Sequence, residues 1–174
     1  MTILNIHGYQ GNPKNSAYSA LTEIGYRDII APSVDYDNEN PCDVINSLNK
    51  IRVENNADLI VGTSLGGFYA AVLSAMNDVP VILINPCLTP FLIEFLPQAE
   101  IKALISLFGD LSKLNLSNVS CIVGDADEVL GDHYFTEQLL CNQRFRRIAG
   151  GMHSGFTLPL KEYFEEIMHD YTSF

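Results

Sequence analysis

Short, almost wholly apolar runs alternate along the chain with stretches whose apolar residues recur every three or four positions. The runs at 2–7, 28–32, 58–62, 79–85 and 119–124 read as buried strands, with a weaker sixth at 145–149. Between them, 15–25 carries Ala17, Leu21 and Ile24 on one helical face, and 42–54 carries Val44, Ile45, Leu48 and Ile51. Residues 65–76 are rich in Ala and Leu, and further helices are predicted over 132–142 and 159–170. In the last of these, Leu160, Tyr163, Phe164, Ile167 and Met168 form an i, i+3, i+4, i+7, i+8 stripe. Strand and helix in alternation predict β-α-β units with right-handed crossovers. The expected fold is α/β: a parallel sheet with helices on both faces, a three-layer sandwich.

One stretch breaks the alternation. From Pro86 to Asn118 no strand is predicted, yet the segment is apolar. Phe91, Leu92, Phe95 and Leu96 form one stripe, Pro97 interrupts it, and Ile101, Leu104, Ile105 and Phe108 form a second. Two short helices are expected. They either pack on the sheet in the ordinary way or form a small cap at about 86–118 over a site at the strand ends, since long connections in compact domains are often functional. The chain contains no internal repeat and no linker-like tract, so residues 1–174 are expected to form one domain.

Composition narrows the function. Of 174 residues, 47% are apolar and 18% charged, enough to bury a core and too apolar for disorder. Acids outnumber bases 21 to 10, for a formal charge of −11, which excludes the basic footprint a duplex nucleic-acid binder needs and disfavours anionic membranes. The longest apolar runs, such as Val79 to Ile84, are too short to span a bilayer. The first residues read as a strand, with neither a basic n-region nor an h-region. Cys42, Cys87, Cys121 and Cys141 form no Cys-x-x-Cys or Cys/His metal spacing. They are expected to be reduced and mostly buried, in a cytoplasmic protein.

The chemistry centres on residues 58–67, which contain Gly62-x-Ser64-x-Gly66. An apolar strand precedes the motif and Phe68-Tyr69-Ala70-Ala71-Val72-Leu73 reads as a helix after it, the setting a nucleophile elbow needs. Such a turn lifts the serine hydroxyl off the end of the sheet. Small residues at 62 and 66 let the flanking backbones pass where a β-carbon would collide. The N-terminus of the next helix also offers free N–H groups to an oxyanion. A blander possibility is a Gly-rich turn in which Ser64 merely caps the helix. A phosphate loop lacks its Gly-Lys-Ser/Thr.

A serine needs a base. Of four histidines, His153 lies in Gly150-Gly151-Met152-His153-Ser154-Gly155, a loop between the last weak strand and the last helix, and is assigned as the base. His169 sits near a helix C-terminus, where a cation is stabilised. His133 begins a helix and is expected to be exposed. His7 ends the first strand and is expected to fix the following loop. The base needs a carboxylate to hold its tautomer. Asp125, Asp127 and Glu128 all follow the fifth strand; Asp127 is favoured over Asp125 because Val129 can anchor the loop behind it. The acids left over are expected to serve turns and helix caps. The same carboxylates can also be read as holding a divalent cation among Asp125, Asp127, Glu128 and Asp132. The oxyanion donors are assigned to the backbone N–H groups of Leu65 and Tyr9, with Gln10 as the substitute for Tyr9.

Taken together these residues resemble the α/β-hydrolase superfamily, in which nucleophile, acid and base occur in the order of Ser64, Asp127 and His153. The likeness is closer to small bacterial esterases of the YqiA and YcfP kind. It is carried by Leu4-Asn5-Ile6-His7-Gly8-Tyr9, by Gly62 to Ala70, by Gly124 to Leu130, by Gly150-Gly151-Met152-His153 and by Asn85-Pro86. Residues 33–57 and the cap segment match only loosely, and Thr63 stands where the family often has Ser. The resemblance implies hydrolysis of carboxylic esters or thioesters with no cofactor and no metal. It also implies that the usual eight-stranded sheet is trimmed to six parallel strands, in spatial order 2-1-3-4-5-6.

A small apolar acyl pocket is expected from Tyr9, Gln10, Phe68, Phe91, Leu92 and Met152. Arg144, Arg146 and Arg147 concentrate three of the ten bases in one segment. They either protect an edge strand from pairing or bind the phosphates of a coenzyme A leaving group, which would favour a thioesterase. The same triad could instead cleave amides, and the fold could serve as a non-catalytic partner-binding module. The expected partner is a small-molecule ester or thioester, with no nucleic acid and no membrane, and the chain is expected to be a monomer or homodimer.

Overall fold

The structure, a computed structural model, describes residues 1–94, 100–140 and 144–171. Six strands form one parallel sheet: β1 (Ile3–Ile6), β2 (Ile29–Ile30), β3 (Leu59–Thr63), β4 (Val81–Ile84), β5 (Val119–Gly124) and β6 (Arg144–Ile148). Their order is β2-β1-β3-β4-β5-β6, as expected. The helices are α1 (Ser16–Glu23), α2 (Pro41–Glu54), α3 (Leu65–Asn77), α4 (Ile101–Asp110), α5 (Tyr134–Leu139) and α6 (Leu160–Ile167).

The alternation of side chains along each strand sorts the core into two halves. Ile3, Leu59, Val61, Ile82, Ile84 and Ile122 point to one face, where α1 contributes Ala17 and Leu21 and α6 contributes Leu160, Tyr163 and Phe164. Leu4, Ile6, Ile60, Leu83, Cys121 and Val123 point to the other, against α2, α3 and α4. Burial on both faces explains why the strands read as unbroken apolar runs. The predicted 28–32 strand shrinks to two residues because β2 is an edge strand with a single neighbour. Asn15 and Asn40 start α1 and α2 by accepting the N–H groups of Tyr18 and Cys42, and Pro41 occupies the first turn of α2.

The segment 86–118 holds a 3-10 turn at Pro90–Leu92 and then α4. Helix α4 packs on α2 and α3, burying Leu104 and Leu107 in the same core half, so this part of the segment is an ordinary layer of the fold. Phe91 meets Phe108 edge-on, with ring centres 5.3 Å apart. Phe95, Leu96 and Pro97 lie outside the described residues. Cys87 and Cys121 are buried and Cys42 is exposed, while Cys141 lies outside the described residues. Among the described residues no helix is long and apolar enough to cross a membrane.

The motif glycines do what their size allows. A β-carbon on Gly66 would fall on the carbonyl oxygens of Ile6 and His7, and one on Gly62 would lie 2.6 Å from the Gly66 oxygen. The start of α3 is therefore pressed against the end of β1. Gly66→Ala forces rigid backbone apart and is expected to lower the unfolding free energy by about 1–3 kcal/mol, as overpacking does. Urea denaturation measures it, and an unchanged midpoint would contradict this packing.

Candidate active site

Ser64 separates β3 from α3 with φ +53° and ψ −122°, a conformation that residues with a β-carbon rarely adopt. Three backbone hydrogen bonds hold it there. Ser64 N–H donates to the Ile84 carbonyl at 3.0 Å, and the Ser64 carbonyl accepts from Gly67 and Cys87 at 2.9 Å each. Its side chain makes no helix-capping bond, which removes the reading of Ser64 as a cap. The hydroxyl faces His153 instead: Nε2 lies 3.0 Å from Ser64 Oγ.

The other ring nitrogen of His153 faces Asp127, with Nδ1 2.9 Å from Oδ2 and 3.1 Å from Oδ1. A carboxylate can only accept, so Nδ1 carries the proton and Nε2 presents its lone pair to the serine hydroxyl. Ser64, Asp127 and His153 follow β3, β5 and β6, whose carboxyl ends share one edge of the sheet.

Asp127 is the most heavily bonded side chain of the site, and it is wholly shielded from solvent. Oδ1 also accepts the N–H groups of Val129 and Leu130, at 2.9 and 2.8 Å. Oδ2 takes a second imidazole, His133 Nε2, at 2.8 Å. Burial by itself would raise the Asp127 pKa. The bonds from His133, His153, Leu130 and Val129 outweigh it and hold the carboxyl well below the ordinary range.

His133 departs from its expected place. The sequence puts it exposed at a helix start, but it is 5% exposed, with a left-handed backbone at φ +55° that turns its ring inward onto Asp127. No spacing rule signals this, because the contact closes only when the whole Asp127–His133 loop folds back on itself. The leftover acids also act differently from expectation. Asp125 Oδ1 accepts Gly150 N–H at 2.6 Å and Glu128 Oε2 accepts His153 N–H at 3.0 Å, so both tie down the loop that bears the histidine. Only Asp132 serves the next helix, accepting Tyr134 N–H. Among the described residues these acids form no group able to hold a metal ion, which sets aside the cation reading.

Asn85 is a positioning residue that the sequence marks only through its resemblance. It is fully buried with φ +41°. Its Oδ1 accepts Gly124 N–H at 2.8 Å, and its Nδ2 donates to the carbonyls of Met152 and His153, both at 2.9 Å. One amide thus joins the end of β5 to the histidine loop. His7 fixes its loop as expected: Nδ1 donates to the Gly8 carbonyl at 2.7 Å and Nε2 accepts Val34 N–H at 3.0 Å.

A cleft of about 480 Å³ opens over Ser64 and His153. Tyr9 and Gln10, two of the residues named for the pocket, line it with Leu65, named as an oxyanion donor, and with Cys87, Ile93, Glu128, Val129 and Leu130, which were not anticipated. Three expected pocket residues lie elsewhere. Phe68 is fully buried in the core, because its position on α3 faces the interior. Leu92 is 68% exposed, since the tight turn that sends Phe91 inward sends its neighbour out. Met152 is exposed because its N–H and carbonyl are held by Thr157 and Asn85. A fourth, Phe91, packs on Phe108 and does not line the cleft.

The arginines of β6 are engaged away from the cleft. Arg144 pairs with Asp170, Arg146 with Glu166, and Arg147 with Glu137 and the Asp132 carbonyl. These pairs leave the coenzyme A reading without an observation in its favour and match a charged edge strand.

The sequence model described as "Uncharacterised protein family (UPF0227)" matches residues 2–99, more than half of the 174-residue chain. The chain belongs to that family. The matched region ends before Asp127 and His153, so family membership rests on the half that carries the elbow. Solved structures share the fold over nearly the full length. The esterase RhEst1 from Rhodococcus sp. ECU1013 is 15% identical with a TM-score of 0.61, covering 99% of this chain and 90% of that one. The Paleococcus ferrophilus monoacylglycerol lipase is 12% identical with a TM-score of 0.66, covering 97% and 92%. MGS-MChE2, an α/β-hydrolase enzyme from the metagenome of sediments of the Mar Chica lagoon in Morocco, is 14% identical with a TM-score of 0.64, covering 98% and 90%. The chain has the α/β-hydrolase fold.

The low pKa of Asp127 has a consequence for stability. Its carboxylate is more acidic folded than unfolded, so its contribution is complete above the ordinary aspartate pKa of about 3.9 and is lost as pH falls below that toward the folded value. Asp127→Asn is expected to flatten the loss of unfolding free energy between about pH 4 and pH 2. Urea midpoints across that range measure it, and parallel curves for the two proteins would contradict the assignment.

Proposed function

We propose that this protein is a serine hydrolase that cleaves small carboxylic esters or thioesters through an acyl-enzyme on Ser64. The observation that carries the reading is the unbroken relay from Ser64 Oγ to His153 Nε2 at 3.0 Å and from His153 Nδ1 to Asp127 at 2.9 Å, mounted on a strained serine turn. The strained turn at φ +53° is the setting that a nucleophile elbow needs to present its hydroxyl. The fold shared with esterases and lipases supports the same reading by analogy.

In this mechanism Ser64 Oγ attacks the acyl carbon as His153 Nε2 takes its proton. The resulting imidazolium is stabilised by the Asp127 carboxylate, which stays ionised. The oxyanion is held by the N–H of Leu65, the first residue of α3, whose amide has no carbonyl one turn earlier to donate to. The loop of Tyr9 and Gln10 supplies the second donor. His153 then protonates the leaving group and activates water for deacylation. The uncharged walls of the cleft, Leu65, Cys87, Ile93, Val129 and Leu130, suit a small acyl chain. No cofactor or metal enters any of these steps. The segment before α4 bears on the cleft through Cys87 and Ile93 among the described residues, and we take it as one wall of the site.

Ser64→Ala and His153→Ala are each expected to lower kcat for short p-nitrophenyl esters by at least about a thousandfold with the fold intact. A panel of acyl thioesters and anilides ranks the competing bond classes. Undiminished hydrolysis by Ser64→Ala would refute the mechanism, and a wild-type protein inert to the whole panel would favour a binding module.

A further inference from the structure

His133 is a buried titratable group that the proposed mechanism leaves without a task. Its side chain is 1% exposed, and its Nε2 lies 2.8 Å from Asp127 Oδ2. A carboxylate can only accept, so Nε2 carries a proton and donates. His133 does not line the cleft, so it can reach the chemistry only through Asp127.

The acceptor positions of Asp127 give that contact its meaning. Two carboxylate oxygens offer about four lone-pair positions. Val129 and Leu130 N–H donate to Oδ1 at 2.9 and 2.8 Å, and His133 donates to Oδ2 at 2.8 Å. The position left on Oδ2 faces His153 Nδ1 at 2.9 Å, with Oδ1 a longer contact at 3.1 Å. Donors fixed by the chain thus set the plane of the carboxylate and leave His153 one place to bind. Without the His133 donor, Oδ2 offers two positions to one imidazole. The ring then has a second alignment besides the native one, which puts Nε2 3.0 Å from Ser64 Oγ.

The loop that delivers this donor is itself held. The Asp127 carbonyl accepts Gly131 N–H at 3.1 Å, and the His133 carbonyl accepts Glu137 N–H at 2.9 Å in the first turn of α5. Arg147 of β6 donates to the Asp132 carbonyl at 2.7 Å and pairs with the Glu137 carboxylate at 2.6 Å. It therefore grips the chain on both sides of His133.

We propose that His133 is a positioning residue of the reaction: its Nε2–H holds the Asp127 carboxylate so that Oδ2 presents a single acceptor position to His153, which aligns the base on Ser64. The inference rests on the esterase reading and extends its relay by one imidazole.

The test pairs His133→Met with His133→Gln. The two replacements match in length and shape and meet the same left-handed backbone at 133. Only glutamine carries an N–H donor. With short p-nitrophenyl esters, His133→Met is expected to lose kcat by about tenfold to a hundredfold with KM within about twofold of wild type, and His133→Gln to recover most of that loss. A packing role alone makes the two variants alike. An equal fall in both, or a wild-type kcat in His133→Met, overturns the proposal. A second readout needs no turnover. The NMR signal of the His153 Nδ1–H is expected to be sharp in wild type and His133→Gln and broadened in His133→Met, as the ring samples both alignments. If wild type hydrolyses no ester, the esterase reading fails and this signal decides alone: broadening confined to His133→Met supports the positioning role, and a signal unchanged from wild type refutes it. Should neither variant fold, the ring 15N spectrum of wild type still discriminates. A proton on His133 Nε2 supports the proposal, and a proton on Nδ1 alone overturns it.

Discussion

Everything at the rim of this sheet is organised around one buried carboxylate. The Asp127 side chain has no contact with water and accepts from two imidazoles and two backbone amides. A charge in that setting is tolerable only because those donors replace the lost hydration. The constraint runs both ways. The carboxylate fixes the proton of His153 on Nδ1, which leaves Nε2 free to accept from Ser64, and it draws His133 into the interior as a second donor. Asn85, Asp125 and Glu128 then hold the histidine loop from three sides, so the ring has little freedom to leave the serine.

The fold makes this arrangement available at low sequence cost. Parallel strands bring the ends of β3, β5 and β6 to one edge whatever the details of their packing. Structures only 12–15% identical to this chain keep the same scaffold, so what is particular to this protein lies in its loops. Among those loops, the one from Asp127 to His133 wraps the carboxylate that its own first residue supplies.

The scaffold was legible in the sequence because burial on both faces writes strands as continuous apolar runs, and the six-strand order followed from that pattern and the resemblance. Ser64 was legible because its turn imposes glycine at two neighbouring positions. His133 and Asn85 were not, since each acts through contacts that close only in three dimensions and leave no periodic trace. Phe68 was misplaced for a related reason. The first ten residues of α3, Leu65 to Ser74, are all buried, so hydrophobic periodicity says nothing about which of them faces a cleft. Met152 was misplaced because the backbone bonds that turn its side chain outward come from Thr157 and from Asn85, the latter more than sixty positions away.

The account depends on Asp127 organising the nucleophile, and the rate at which a fluorophosphonate modifies Ser64 tests that most directly. Wild type is expected to be modified at Ser64, and Asp127→Asn, still folded, on the order of a thousandfold or more slowly because His153 loses its fixed tautomer. Equal rates in the two proteins, or modification at another residue, would contradict it.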